Sequence, residues 1–208
     1  MLHFAGSSNP NQEGVMAIKR WFFDEHTEGC MYHPRTGCVH PSDEASGKFI
    51  SSLSSRGPDL HAPALDIDFS TSVEPQLGAK SRVVIKGPRP TYANFRRLLE
   101  VLVSTKLMDP DDAQPLHGKA AGSRRRDLPA LVLTVGARVN PSSSVGHHHL
   151  YLDREMPWPA YEQLLLALRD AEIIGQDFCD MSIRWRVSFL LKPGLTKSDL
   201  KLRFAASA

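Results

Sequence analysis

The chain has 208 residues, 41% hydrophobic and 23% charged, a balance that excludes wholesale disorder and suits one packed domain with an appendage. No apolar run reaches the length of a membrane-spanning helix, so no membrane partner is expected. The net charge of +2 excludes little, but residues 73–138 hold twelve Lys/Arg against six Asp/Glu, an excess that fits a polyanionic partner as well as a solvated basic face.

Residues 1 to about 12 are rich in Ser, Asn and Pro and predict a frayed start, and Val15 to Phe23 predicts a short strand. Next comes a loop holding His26, Cys30, His33, Cys38 and His40. The Cys-x₂-His and Cys-x-His spacings permit a structural zinc held by Cys30, His33, Cys38 and His40, and equally an ordinary His-rich loop. Three cysteines cannot all pair, and no apolar signal segment precedes them, so a reducing, cytoplasmic setting is expected. Pro41 to Pro63, rich in Ser, Gly and Pro, predicts a linker or long surface loop. The expected division is an arm and linker over 1–58, with the possible zinc loop at 26–40, and a core over 59–208.

Within that core the pattern recurs at an offset of 66 residues. Phe95, Leu98, Leu99 and Leu102 fall on Tyr161, Leu164, Leu165 and Leu168, both at the spacing of one buried helix face. Leu65, Ile67, Ile85 and Leu107 fall on Leu131, Leu133, Tyr151 and Ile173. Each copy reads strand, turn, strand, loop, helix, which predicts an α+β two-layer sandwich: one antiparallel sheet with both helices on one face. Residues 109–129 between the copies predict a polar, basic loop, in which Arg124, Arg125 and Arg126 could contact phosphate. Ile183 to Leu191 alternates like a further strand, with Trp185 either a stacking platform or core packing.

Two strands carry candidate chemistry. In Leu65-Asp66-Ile67-Asp68-Phe69 the two carboxylates leave one strand face, a spacing able to bridge Mg²⁺ or Mn²⁺. In His147-His148-His149-Leu150-Tyr151, after the Ser/Gly turn, His147 and His149 share a face and His148 points away. At the offset of 66 these histidines align with Ser81 and Val83, and the acids with Val132 and Thr134. Acid and imidazole are thus split between the copies, which predicts one composite site.

Taken together these residues resemble the archaeo-eukaryotic primase superfamily, the catalytic domain of primase-polymerases. Leu65-Asp66-Ile67-Asp68 matches its apolar-Asp-apolar-Asp strand. The stretch from Ser144 through Gly146 and His149 to Tyr151 matches its small-residue loop, histidine and apolar-aromatic strand. Lys192-Pro193-Gly194-Leu195-Thr196-Lys197 stands for its basic-Pro-Gly segment, with Lys192 where Arg is usual. The resemblance covers roughly residues 60 to 200. It implies an RRM-like core, metal-dependent nucleotidyl transfer and a nucleic-acid template on the open sheet face. By the same resemblance Asp66 and Asp68 would hold the metals, with Asp177 or, preferably, Asp180 as the third acid. His149 would hold the nucleotide phosphate, with His147, Ser144, Lys192 and Lys197 on the substrate. The layout also resembles small phage proteins of actinobacterial hosts, which would place the chain in a host cytoplasm and carries no activity. Two alternatives stand beside this expectation. One is a phage module that binds nucleic acid or protein without catalysis. The other is a two-histidine phosphoesterase, for which the partner strand Arg82-Val83-Val84-Ile85 lacks a histidine.

Overall fold

A computed structural model describes residues 20–23, 49–54, 56–87, 90–122 and 128–191. Its elements in chain order are β1 (Arg20–Phe23), β2 (Phe49–Ser54), β3 (Gly57–His61), β4 (Ala64–Ile67), β5 (Ser70–Pro75), β6 (Ser81–Lys86), α1 (Tyr92–Ser104) and α2 (Pro110–Gly122). They continue with β7 (Leu131–Leu133), β8 (Ala137–Pro141), β9 (His148–Leu152), β10 (Met156–Pro157), α3 (Trp158–Asp170), α4 (Gln176–Trp185) and β11 (Phe189–Leu191). The class is α+β and every strand pairing is antiparallel.

The strands lie in three sheets, where the sequence predicts one. They run β1-β2-β3-β10 with β11 also on β2, then β4-β9-β8, then β5-β6-β7. The cause is local. The bend at Asp68 and Phe69 splits the run from Ala64 to Pro75, sending β4 to β9 and β5 to β6. A bend over 134–136 does the same to β7 and β8. An alternating sequence shows strand propensity across such a bend and does not reveal which partner each part takes.

The two amphipathic helices form as their spacing predicts. Phe95, Leu98, Leu99 and Leu102 of α1, and Tyr161, Leu164, Leu165 and Leu168 of α3, are buried. They join Leu65, Ile67, Val83, Ile85, Leu150 and Leu152 from the strands in one core. Each such side chain contributes about 1.5–3 kcal/mol on leaving water. Thr91 caps α1 by accepting from the Asn94 N–H at 3.2 Å, the local interaction that sets where the helix begins.

Both helices have thirteen residues, with starts 66 apart, and each is followed by a non-glycine residue at φ +58, Lys106 and Glu172. Reciprocal hydrogen bonds then cross the core unit: Asp68 N–H donates to Ile173 O at 3.1 Å, and Thr134 N–H to Leu107 O at 2.9 Å. The hairpin loops differ by one residue, since Pro75 pairs with Ser81 but Pro141 with His148. In strand register, therefore, Val83 and Ile85 stand with buried Leu150 and Leu152, and Arg82 stands with His149 in place of the Val83 expected from a constant offset.

Three segments depart from expectation. Residues 110–122 form α2, not a loop: Pro110 is favourable in the first turn, Asp111 and Asp112 face the helix N-terminal dipole, and Ala113 and Leu116 are buried. Pro115 inside this helix, with its polar neighbours, hides it from periodicity. Ile183 to Trp185 ends α4. Arg186, at φ 55 and ψ 32, closes that helix, so only Phe189–Leu191 is strand. Within 41–63, β2 and β3 pair with each other and with β11 and β10, so the boundary placed at 58 falls inside β3.

A buried polar cluster ties these strands to the core. The Tyr161 hydroxyl lies 2.7 Å from Ser188 Oγ and 3.1 Å from Ala64 O, at the start of β4. His61 stacks on Tyr161 at 5.6 Å and meets Ser52 Oγ through Nδ1 at 3.3 Å. Burial, and then the charge of Arg186, lower the His61 pKa to about 4, so the ring is neutral at pH 7.

Candidate functional site

Strand alternation and register build the site. In the β4–β9 ladder Asp66 faces His149 and Ile67 faces His148. Leu65, Ile67, Leu150 and Leu152 point into the core, which turns Asp66 and His149 to the opposite face. His148 lies on the core side, its Nδ1 at 3.3 Å from both Thr71 N and Phe69 O, so it fixes the β4–β5 bend.

Two acid–imidazole pairs result. His149 Nε2 lies 3.8 Å from Asp66 Oδ1, and His147 Nδ1 lies 3.5 Å from Asp68 Oδ1. The His149 side chain is only 6% exposed, while those of Asp66, Asp68 and His147 are each about one-third exposed. Burial, then His148, lower the His149 pKa to about 4. At neutral pH it is an uncharged imidazole beside a carboxylate, too far for a hydrogen bond, and not an ion pair. Its buried Nδ1 has no hydrogen-bond partner among the described residues. A neutral imidazole with a spare nitrogen can ligate a metal or hydrogen-bond a phosphate.

Asp68 is held from a second side, accepting a hydrogen bond from the Gly175 N–H at the start of α4. A Cβ at Gly175 would stand 3.3 Å from Asp68 Oδ2, so glycine leaves room for the carboxylate. Burial and, less strongly, the like charge of Asp66 raise the Asp68 pKa, against the lowering effects of His147 and the Gly175 N–H.

The other expected residues fall elsewhere. Asp180 lies on α4, where it accepts from Gln176 Nε2 at 2.7 Å. Ser144 belongs to the β8–β9 loop, its carbonyl accepting from the His147 N–H at 3.2 Å and so shaping the approach to the histidines. Trp185 ends α4 edge-on to Phe189 at 5.7 Å, a packing position. Cys30, His33, Cys38, His40, Arg124, Arg125, Arg126, Lys192 and Lys197 lie outside the described residues. β8 adds residues that the sequence does not single out: Asn140 opposite His149, and Arg138 opposite Tyr151. Only the strand register reveals them.

Among the described residues no three His, Cys, Asp or Glu side chains are gathered to hold one metal ion, so the four donors stand as two pairs. None of the described helices is long and apolar enough to cross a membrane. Comparison with protein-family models, curated proteins and solved structures finds no match.

Proposed function

We propose that Asp66, Asp68, His147 and His149 form a metal-and-phosphate site, and that the protein is a metal-dependent nucleotidyltransferase of primase-polymerase type acting on nucleic acid. The observation that carries this proposal is the Asp66–His149 pair: a carboxylate and a buried neutral imidazole opposite each other, with Asp68 and His147 alongside. Mg²⁺ commonly takes only one or two carboxylates from protein and completes its shell with water and substrate phosphates. Asp66 and Asp68 fit that requirement without a third protein ligand. A divalent ion held by them would supply positive charge to the phosphates undergoing transfer. His149, neutral and desolvated, would donate a hydrogen bond to a phosphate oxygen, and His147 would cover the outer side. Asp180 is proposed as a more distant acid on α4, and the recurrence at 66 residues as a duplicated, RRM-like framework whose second sheet carries this one site.

The test is incorporation of a labelled nucleotide into a primed or unprimed DNA template with Mg²⁺ or Mn²⁺. Asp66→Ala is expected to abolish incorporation and leave DNA binding intact. If the wild-type chain incorporates no nucleotide with either metal, the enzyme proposal fails and a binding module takes its place.

A further inference from the structure

The face that carries Asp66 and His149 continues across β9 to β8, and its chemistry changes sign on the way. In one row the register reads Asp66, His149, Asn140: a carboxylate, a neutral imidazole and an amide. Arg138 follows on the same face of β8, two residues before Asn140. A carboxylate therefore lies at one edge of this three-stranded sheet and a guanidinium, ion-paired with Asp153, at the other, with the buried His149 between them.

Arg138 is only partly engaged. It meets Asp153 through Nη2 at 3.5 Å, long for a charge-assisted hydrogen bond, and its side chain is one-third exposed. Its buried Nε has no hydrogen-bond partner among the described residues. The His149 Nδ1 is in the same position. Buried nitrogens left unsatisfied are costly, and the one-third-exposed part of the Arg138 side chain is what an anion on this face would reach.

We propose that the β8 edge is an anion subsite in which Arg138 and Asn140 bind the outer phosphates of a nucleoside triphosphate, next to a metal-bound phosphate over Asp66. The inference rests on the proposed function for its ligand and adds two residues that neither the sequence motifs nor the acid–imidazole pairs contain. A planar guanidinium suits two oxygens of one phosphate, and a neighbouring amide N–H suits a third. The polyphosphate chain is preferred to a nucleic-acid backbone because Asp66, Asn140 and Arg138 lie on one face across three adjacent strands, where one compact, multiply charged group can reach both the cation and the anion positions.

The experiment uses the full chain and inorganic tripolyphosphate with Mg²⁺, followed by calorimetry, with Mn²⁺ binding followed separately by electron paramagnetic resonance. Arg138→Gln and Asn140→Asp are each expected to weaken tripolyphosphate binding by about tenfold or more, and to leave Mn²⁺ affinity within about twofold. Asn140→Asp is nearly isosteric, so it carries the test if loss of the Asp153 partner unfolds Arg138→Gln. Wild-type binding that both variants retain overturns the subsite, as does a wild-type chain that binds Mn²⁺ but no tripolyphosphate. Variants that lose only affinity for a single-stranded oligonucleotide also overturn it, in favour of a backbone contact. If tripolyphosphate binds in an Arg138-dependent way while Mn²⁺ does not bind, the anion subsite stands and the metal site proposed above falls.

Discussion

Two three-residue rows occupy matching register positions in the two three-stranded sheets, and their chemistry is opposite in kind. In β5-β6-β7 the row is Glu74, Arg82, Val132, with Arg82 and Glu74 in an ion pair at 2.7 Å, both substantially exposed. In β8-β9-β4 it is Asn140, His149, Asp66, with the central ring buried and its Nδ1 without a hydrogen-bond partner among the described residues. The first row satisfies itself with an exposed pair worth under about 1 kcal/mol. The second buries an imidazole whose Nδ1 has no hydrogen-bond partner among the described residues, which costs stability and leaves that ring able to take a ligand. Matching backbone positions thus give a plain surface in one half and a candidate site in the other.

Substitution of the acidic member breaks the comparison most sharply. Asp66→Ala is expected to reduce metal-dependent nucleotide incorporation by at least about 100-fold, against less than about twofold for Glu74→Ala, in steady-state assays of both variants. Equal losses would remove the distinction between the rows. The central residues should differ next, in stability. His149→Ala deletes a buried ring and is expected to cost about 1–3 kcal/mol in urea unfolding, whereas Arg82→Ala should stay within about 0.5 kcal/mol.

Acid should separate the rows further. The folded His149 and His61 take up protons only at about 4, against 6.5 for an ordinary histidine. Between those values the unfolded chain binds more protons, so stability falls as pH is lowered from 6.5 to 4. Asp68, whose pKa is raised, acts in the opposite direction as it takes up its proton. In thermal melts across this range His149→Gln should flatten the fall, while Arg82→Gln should keep the wild-type slope. The smallest effect is expected for the double variant Glu74→Ala/Arg82→Ala. Its coupling energy should stay below about 1 kcal/mol and shrink further in high salt, as measured by a double-mutant cycle.

The face that each acid and each histidine takes on its own strand was legible in the sequence because alternation is a local rule, whereas the facing of Asp66 and His149 depends on the β4–β9 register. Alternation predicts Asp66 with Asp68, and His147 with His149, on shared faces with His148 turned away; in the structure Asp68 lies in the bend after β4 and His147 just before β9, and the two meet there at 3.5 Å. Leucines and aromatics at helical spacing likewise located α1 and α3. Asn140 and Arg138 were not legible: their place beside His149 depends on a hairpin one residue longer than its counterpart, and register is a tertiary property. The helix α2 hid behind Pro115 and polar neighbours. The end of α4 imitated a strand because Ile183, Trp185, Val187 and Phe189 alternate, although Arg186 breaks the backbone between a helix and a loop.

The most direct test of the central claim, that Asp66, Asp68, His147 and His149 bind a metal-bound nucleotide together, is a titration of the full chain with Mn²⁺ and a nucleoside triphosphate, followed through the imidazole ¹⁵N resonances. The His147 and His149 signals should broaden at substoichiometric Mn²⁺, and the broadening should disappear in Asp66→Asn/Asp68→Asn. Signals that stay sharp in the wild-type chain, or broaden equally in the double variant, would contradict the claim.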